Sequence, residues 1–251
     1  MKIYLIASTQ RASGIDEFLV DRGLEWFLEQ PGTEPELVAE FAGRICYLSF
    51  GPRQRRRTTR TYLKNIITAK HESVLEHANF TLLADDISRA LSHQLIRHRA
   101  GFAYSQLSQQ YHDESAAIFV EPEGLDEEPA LRARWEQWRA ATLALYADLQ
   151  TSATFSPEAA HGLSSKEASR RRRSQARLVL PNATATSLVV TGNARAWRHV
   201  LLTRGAIAGD KEMRDYCVEV WRALSRAAPN LFDDFALVDD ELGPYVRFVQ
   251  A

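Results

Sequence analysis

A short polar segment near the middle of the chain has the residue types that bind a phosphorylated ligand. In "LIRHRAGFAYSQLSQQY", Arg97, His98 and Arg99 stand together, and Gln106 and Ser108 follow them. Arginine holds phosphate through a planar fork of paired hydrogen bonds and stays charged at any physiological pH. The hydroxyl and amide groups add uncharged partners for a ligand. The segment therefore predicts an anion site, with a nucleotide phosphate as a suitable occupant.

Further arginines are grouped elsewhere along the chain. The groups are Arg53–Arg60, Arg170–Arg177, and Arg195 with Arg198 and Arg204. In "SRRRRSQAR", residues Arg170, Arg171 and Arg172 are typical of a solvated helix face, whereas Arg177 adjoins the apolar "LVLP" and is predicted to be partly buried. The "RQRRRTTR" run has no interleaved aromatic residues and the net charge of the chain is -1, so no nucleic-acid partner is predicted.

Other common catalytic and metal-binding patterns are missing. In "HESVLEH", His71 and His77 are six residues apart, which does not place them on one helix face, so no metal site is predicted. Cys46 and Cys217 have no C-x-x-C spacing and are predicted to be buried free thiols. No G-x-G-x-x-G, Walker or G-x-S-x-G sequence occurs.

The composition is that of an ordinary globular protein. Of 251 residues, 45% are hydrophobic and 25% are charged. The apolar part of "MKIYLIASTQ" is too short for a signal peptide, and no run reaches the roughly 18 apolar residues of a membrane span. We therefore expect a cytoplasmic protein with no membrane partner.

The elements around the central segment are predicted from hydrophobic spacing. "KIYLIAS" and "NFTLLADD" indicate strands, and "EPELVAEFAGRICYLSF" and the stretch up to His71 indicate helices. Asp86 is predicted to cap the next helix, on whose last turn Gln94 would lie beside Arg97 and His98. Gly101 then permits a change of direction, and "SQLSQ" is predicted to be irregular.

The second half of the chain is predicted to be mainly helical. A strand at "AIFVE" should precede a long helix whose apolar side chains face the core; they are Leu131, Trp135, Trp138, Leu145 and Leu149. Ser164 and Glu167 have capping-box spacing, Asn193 should begin another helix after the strand "TSLVVTGN", and a last amphipathic helix should end before Pro229. With no repeat and no flexible linker, one α+β domain over residues 1–251 is predicted.

The RHR sequence followed by eight residues and Ser108 resembles the signature of the flavin-dependent thymidylate synthases. Further blocks resemble that family in the family's order, over roughly residues 38 to 220: "EFAGRICYLSF", "HESVLEHANF", "QLIRHR", "YSQLSQ", "ARLVLPNAT" and "VVTGNARAWRHVLLTR". The resemblance implies the family's α+β fold, in which a mainly antiparallel sheet is packed by long helices. It also implies a homotetramer whose active sites are built at subunit interfaces.

The activity implied by the resemblance is reductive methylation of dUMP at C5 to give dTMP. Methylenetetrahydrofolate would give the carbon, FAD would mediate, and NADPH would reduce the flavin. The positions that match flavin-contacting residues are Ser73, Glu76, Arg97, His98, Arg99, Asn193 and His199. Those that match nucleotide-contacting residues are Gln94, Arg97, Gln106, Ser108, Arg177 and Arg204. His71 matches a histidine near the folate and flavin site, and it joins Arg97 and Arg204 as an expected catalytic residue.

The roles of Arg204, Arg97 and Ser108 agree with their chemistry. Arg204 and Arg97 could stabilise negative charge as it builds on the uracil ring, so no protein nucleophile is required. Ser108 has no recognisable His/Asp pair and is therefore assigned to nucleotide binding rather than to covalent attack.

Two departures from the family pattern leave alternatives open. Gln110 stands where the family commonly has an arginine, and Ala208 stands where a histidine is expected. Arg173 could replace the missing charge. The altered pocket is compatible with the same chemistry on the ribonucleotide UMP, or with a noncatalytic paralogue that only binds flavin or nucleotide.

Overall fold

The computed structural model describes residues 1–155 and 162–249. The chain forms two compact units. The first comprises Met1–Ala84, Ile96–Tyr104 and Val189–Ala251, and the second comprises Asp85–Leu95 and Ser105–Leu188. Units of this kind within one chain do not by themselves define domains, so the single domain over residues 1–251 stays a prediction.

A four-stranded sheet contains the strands β1 (Lys2–Ser8), β2 (Asn79–Ser88), β3 (Phe102–Gln106) and β4 (Ala185–Asn193), in the order β1-β2-β4-β3. Alternate side chains of β2 and β4 are buried, as a period of two requires. Near the C-terminus β5 (Phe235–Asp240) and β6 (Gly243–Phe248) pair as an antiparallel hairpin. Strands at "KIYLIAS", "NFTLLADD" and "TSLVVTGN" are therefore confirmed, whereas the hairpin was not predicted.

Nine helices occur within the described ranges: α1 (Gly14–Asp21), α2 (Glu34–Ile45), α3 (Thr59–Thr68), α4 (Arg89–Leu95), α5 (Pro129–Thr151), α6 (Ser165–Ala176), α7 (Ala194–Arg204), α8 (Lys211–Ala227) and α9 (Pro229–Phe232). Five short 3₁₀ turns lie at Gly51–Arg53, Glu72–His77, Leu125–Glu127, Ala153–Phe155 and Arg177–Val179. The combination of helices with the sheet and the hairpin confirms the α+β class.

Side-chain caps fix the starts of several helices. Asn193 accepts a hydrogen bond from the backbone N–H of Ala196 at the start of α7, as its residue type predicts. Ser164 and Glu167 form the predicted capping box of α6. In the first unit α8 packs against β1 and β6, and in the second unit α5 packs against α6.

The region of α4 corrects two predictions. Strand β2 continues to Ser88, whose Oγ accepts a hydrogen bond from the backbone N–H of Leu91, so Ser88 and not Asp86 caps the helix. The helix ends at Leu95, so Arg97 and His98 lie beyond its last turn. The predicted irregular segment "SQLSQ" is also partly wrong, because its first two residues belong to β3.

Burial differs from expectation at several apolar positions. On α5 the buried residues are Thr142 and Tyr146, whereas Leu131, Trp138 and Leu145 are exposed, so the predicted core face is wrong within this chain. Periodicity shows which side chains share a face but not what covers them. The "AIFVE" strand reduces to one bridge, between Phe119 and Thr184. The apolar "LVLP" segment is not a buried one, since its first leucine is exposed.

Candidate functional site

A large cavity of about 890 Å³ in the first unit gathers most of the residues predicted to contact flavin. Six of the seven line it: Glu76, Arg97, His98, Arg99, Asn193 and His199. Its wall also carries the cations Lys70 and Arg195 and the apolar side chains Leu202, Phe235 and Phe248. The cavity therefore combines positive charge with aromatic surface, and its volume lies within the range of about 300–1,000 Å³ that small-molecule and cofactor sites occupy.

A close approach between Gly101 and Asn193 shapes one side of the large cavity. Gly101 has φ +76°, and its carbonyl accepts a hydrogen bond of 3.3 Å from the backbone N–H of Asn193. A Cβ at position 101 would lie 2.7 Å from Asn193 Nδ2 and 2.9 Å from the Cβ of Ala196. Glycine is thus required both by the left-handed backbone and by the space. This contact sets the arginine–histidine segment against the N-terminus of α7.

Two histidines and Arg204 form a cluster at the large cavity. The rings of His98 and His199 lie edge to face with centroids 6.0 Å apart, and Arg204 Nε donates to His98 Nε2 over 3.4 Å. Burial lowers the pKa of His98, and the positive charge of Arg204 and the proximity of His199 act in the same direction. These influences favour the neutral form of His98, whose Nε2 accepts a hydrogen bond from the Arg204 guanidinium. The structure brings His98 against Arg204, 106 positions later in the sequence, and against His199 on the same helix as Arg204.

An acidic pair holds Arg195 at the edge of the large cavity. Arg195 Nη1 lies 2.6 Å from Glu76 Oε1, and its Nε lies 3.7 Å from Glu72 Oε2. Arg195 was recognised in the sequence only as one of several arginines. The observation that distinguishes it is this pairing, which depends on the fold bringing α7 against the Glu72–His77 turn.

A small cavity of about 380 Å³ adjoins the large cavity and contains two further predicted residues, His71 and Ser73. Lys70, Glu72 and Arg195 line both cavities and so form their shared wall. This shared wall lies between His71 and the predicted flavin contacts that line the large cavity. Ser73, the seventh residue predicted to contact flavin, lies on this side of the wall.

The second unit contains most of the residues predicted to contact the nucleotide. Gln106 Nε2 donates to Ser92 Oγ over 3.0 Å, which orients its amide. Ser108 Oγ accepts a hydrogen bond from the backbone N–H of Gln110 at 3.3 Å, so the hydroxyl is engaged in a local turn rather than paired with a base. Gln94 is half-buried on α4.

Arg89 is a candidate that sequence reasoning missed. Its Nη2 donates to the carbonyl of Leu107, next to Ser108, over 2.9 Å. Burial lowers the pKa of Arg89; the charge of Glu114 opposes this shift, and the positive charge of Arg177 adds to it. Ser108, next to the Leu107 carbonyl that Arg89 contacts, is predicted to contact the nucleotide. Two arginines that repel one another in this region are suited to binding an anion. The feature of the sequence that could have identified Arg89 is its position, directly after a buried strand and at the start of a helix.

Gln110 contacts a cation despite the absence of the arginine expected in its place. Arg170 Nε donates to Gln110 Oε1 over 2.9 Å, and the Arg170 guanidinium lies 5.8 Å from the ring centroid of Tyr111. Arg170 is exposed, which confirms its predicted place on a solvated helix face. The cation that contacts Gln110 is Arg170 and not Arg173, which had been considered as the replacement.

The two cysteines differ in burial. Cys217 is buried, and burial raises its pKa to about 12, whereas Cys46 is exposed, which corrects the expectation of two buried thiols. Among residues 1–155 and 162–249, no group of three or more His, Cys, Asp or Glu side chains could hold a metal ion. In the same described ranges, no helix has the length and apolar character needed to cross a membrane.

Comparisons with known proteins identify relatives over most of the chain. A sequence model of a family described as thymidylate synthase complementing protein matches residues 28–230. A flavin-dependent thymidylate synthase of Mycobacterium avium (strain 104) is 41% identical over 240 residues, which cover 94% of this chain and 90% of the relative. Proteins of the same name from Mycolicibacterium gilvum (strain PYR-GCK) and Mycobacterium tuberculosis (strain ATCC 25177 / H37Ra) are each 40% identical, over 240 and 238 residues, with the same coverage.

Proposed function

The chain belongs to the flavin-dependent thymidylate synthase family, a family of enzymes, and from that premise we propose that it methylates dUMP at C5 to give dTMP, with FAD as its bound cofactor. Methylenetetrahydrofolate is the proposed carbon donor and NADPH the proposed reductant. The membership confirms the resemblance drawn from the sequence motifs.

The observation that carries the proposal is the large cavity. Its cations Lys70, Arg97 and Arg99 suit the pyrophosphate of FAD, since charge-assisted hydrogen bonds to phosphate are strong; Arg195 is already paired with Glu72 and Glu76. Its aromatic and aliphatic side chains suit planar rings. The residues present therefore fit the proposed cofactor in charge and in shape.

Bound FAD would supply the electron and carbon transfer chemistry that side chains cannot perform. The proposed task of this chain's residues is to orient and to polarise. Arg204 is fixed against His98 and provides a positive charge. Burial and the charge of Arg204 lower the pKa of His98, which favours its neutral form beside Arg204. We propose that Arg204 and Arg97 stabilise negative charge on the uracil ring as C5 becomes nucleophilic.

The proposed nucleotide site uses residues of the second unit. Arg89 and Arg177 would bind the phosphate, because an anion relieves the repulsion between them. Ser108 and Gln106 would position the sugar and base through hydrogen bonds, with Gln94 beside them. Arg170, held by Gln110, would supply the cation that the family commonly has at the position of Gln110.

We place the folate cosubstrate near the small cavity, with His71 as the residue closest to the reacting carbon. The support is that His71 and Ser73 share a wall with the large cavity. We further propose that the enzyme acts as a cytoplasmic homotetramer. The exposed apolar side chains Leu131, Trp138 and Leu145 on α5 support self-association, since such a row is rarely left facing water.

Product identification tests the proposed function. Purified protein is incubated with FAD, NADPH, methylenetetrahydrofolate and equal amounts of dUMP and UMP, and products are identified by mass spectrometry. We expect dTMP as the main product, because the relatives are named thymidylate synthases and Arg170, in contact with Gln110, would supply the missing cation. Mainly 5-methyl-UMP would overturn the choice of dUMP, and FAD binding with no methylated product would indicate the noncatalytic paralogue.

A pair of variants ties the activity to the proposed nucleotide site. Arg177→Gln should raise the KM for dUMP by about tenfold or more, because a hydrogen bond to a charged group contributes roughly 1.5–3 kcal/mol. Arg222→Gln is the matched control, since Arg222 is an exposed arginine on α8 paired with Glu219. An equal KM in both variants would contradict the role of Arg177.

A further inference from the structure

The β5–β6 hairpin places a partly uncovered aromatic ring on the wall of the large cavity. Phe235 and Phe248 are partners in the hairpin register, and their rings lie edge to face with centroids 5.6 Å apart and an interplanar angle of 75°. Both line the large cavity, but Phe235 is 4% exposed and Phe248 is 41% exposed. Phe235 is therefore part of the core, whereas much of Phe248 stays available for contact with a ligand.

Contacts with Arg198, Arg214 and Gly205 hold the hairpin in place. Arg198 Nη1 and Nη2 bind the two carboxylate oxygens of Asp234 at 2.6 and 2.5 Å, and the Arg198 guanidinium lies 5.2 Å from the ring centroid of Phe235. At the other end, Arg214 Nε donates to the carbonyl of Pro244 over 3.0 Å. The backbone N–H of Val246 donates to the carbonyl of Gly205 over 3.2 Å, two residues before Phe248. The ring of Phe248 is thus presented from a fixed backbone, so little ordering is needed when a ligand binds.

The cations on the same cavity wall indicate what such a ring would contact. Arg97 and Arg99 provide charge for phosphates, and an uncovered phenylalanine provides a surface for a flat ring. A molecule that satisfies both needs has phosphates joined to planar heterocycles. We infer that Phe248 packs against a planar ring of the bound dinucleotide cofactor and so contributes to its affinity; this inference rests on the proposed function.

The dissociation constant of FAD, measured by flavin fluorescence on the full chain, tests the inference. Phe248→Ala should weaken FAD binding about fivefold or more, because removal of an aromatic partner from a stacked base has an effect of that size. Phe248→Trp keeps a planar apolar ring and should stay within about twofold of the wild type. Leu242→Ala is the control, since Leu242 is exposed on the same hairpin and does not line the large cavity. Thermal melting of each variant checks that the fold persists.

A second ligand identifies which ring is involved. FMN lacks the adenosine part of FAD, so an equal loss of affinity for FMN and FAD assigns the contact to the flavin ring, and a loss for FAD alone assigns it to adenine. Either result supports the inference. Wild-type affinity for FAD in Phe248→Ala, or an equal loss in Leu242→Ala, overturns the inference and leaves the proposed function standing. A wild-type protein that binds no flavin overturns both.

Discussion

Replacement of Asp234 by alanine should destabilise the first unit strongly. Asp234 and Arg198 form a paired ion contact with side chains only 7% and 8% exposed, and Arg198 Nη1 also donates to the carbonyl of Leu231 over 2.6 Å. Loss of the carboxylate would leave the guanidinium buried with that carbonyl and the ring of Phe235, but without its paired negative charge. Removal of one partner from a buried pair costs about 3–5 kcal/mol, because the remaining charge is uncompensated.

That loss is a large part of a typical unfolding free energy of about 5–15 kcal/mol. It should lower Tm by about 6–20 °C, since 1 kcal/mol corresponds to about 2–4 °C in a protein of this size. Urea unfolding followed by tryptophan fluorescence measures the change, because Trp197 is buried beside Arg198. FAD is left out, since a ligand that binds only the folded state would add to the apparent stability.

Two further variants separate the buried charge from general damage. Glu219→Ala breaks an exposed pair with Arg222 and should cost about 1 kcal/mol or less. The double variant Asp234→Ala with Arg198→Met should be more stable than Asp234→Ala alone, because no unpaired charge remains. A loss below about 1 kcal/mol in Asp234→Ala, or no recovery in the double variant, would refute the assignment.

Three other predictions concern the site. Gly101→Ala should lower both FAD affinity and the free energy of unfolding. Gly124 has a similar φ of +74° but nothing within 4 Å of a new Cβ, so Gly124→Ala should cost about 1–2 kcal/mol of stability and leave FAD affinity unchanged. Similar FAD dissociation constants in both variants would argue against the close approach. Because the pKa of His98 lies below its ordinary value of 6.5, the folded state binds fewer protons than the unfolded state near and below that pH. The contribution of His98 to stability is therefore present above pH 6.5 and is lost as pH falls through the folded pKa. Urea unfolding at about pH 5 and pH 7 should therefore show a smaller acid loss in His98→Gln than in the wild type. Cys46→Ser and Cys217→Ala should each retain dUMP methylation, since a thiol with a pKa of about 12 stays protonated and the other cysteine is not needed as a nucleophile; abolished turnover with FAD still bound would contradict this.

The sequence determined the family and the identity of most elements. The ordered motifs around Arg97 and Ser108 were specific enough to indicate the activity, and caps such as Asn193 were read correctly because a cap depends on residues within one turn. The spacing around α4 was less informative. A polar residue near a helix start can cap it or belong to the preceding strand, and the choice between Asp86 and Ser88 was made by where β2 stopped pairing.

The tertiary structure alone decided which distant side chains meet. His98 and Arg204 come into contact across 106 positions, and Gln110 meets Arg170 across 60, and no local pattern in the sequence encodes such distances. Burial followed the same rule, since the apolar face of α5 is visible in the sequence but its exposure depends on what packs against it. The proposed role of Phe248 could not be predicted from the sequence for the same reason. Its side chain lines the large cavity only because the β5–β6 hairpin places it there. Local spacing is fixed by bonds along the chain, whereas pocket walls are fixed by the packing of elements that the chain separates widely.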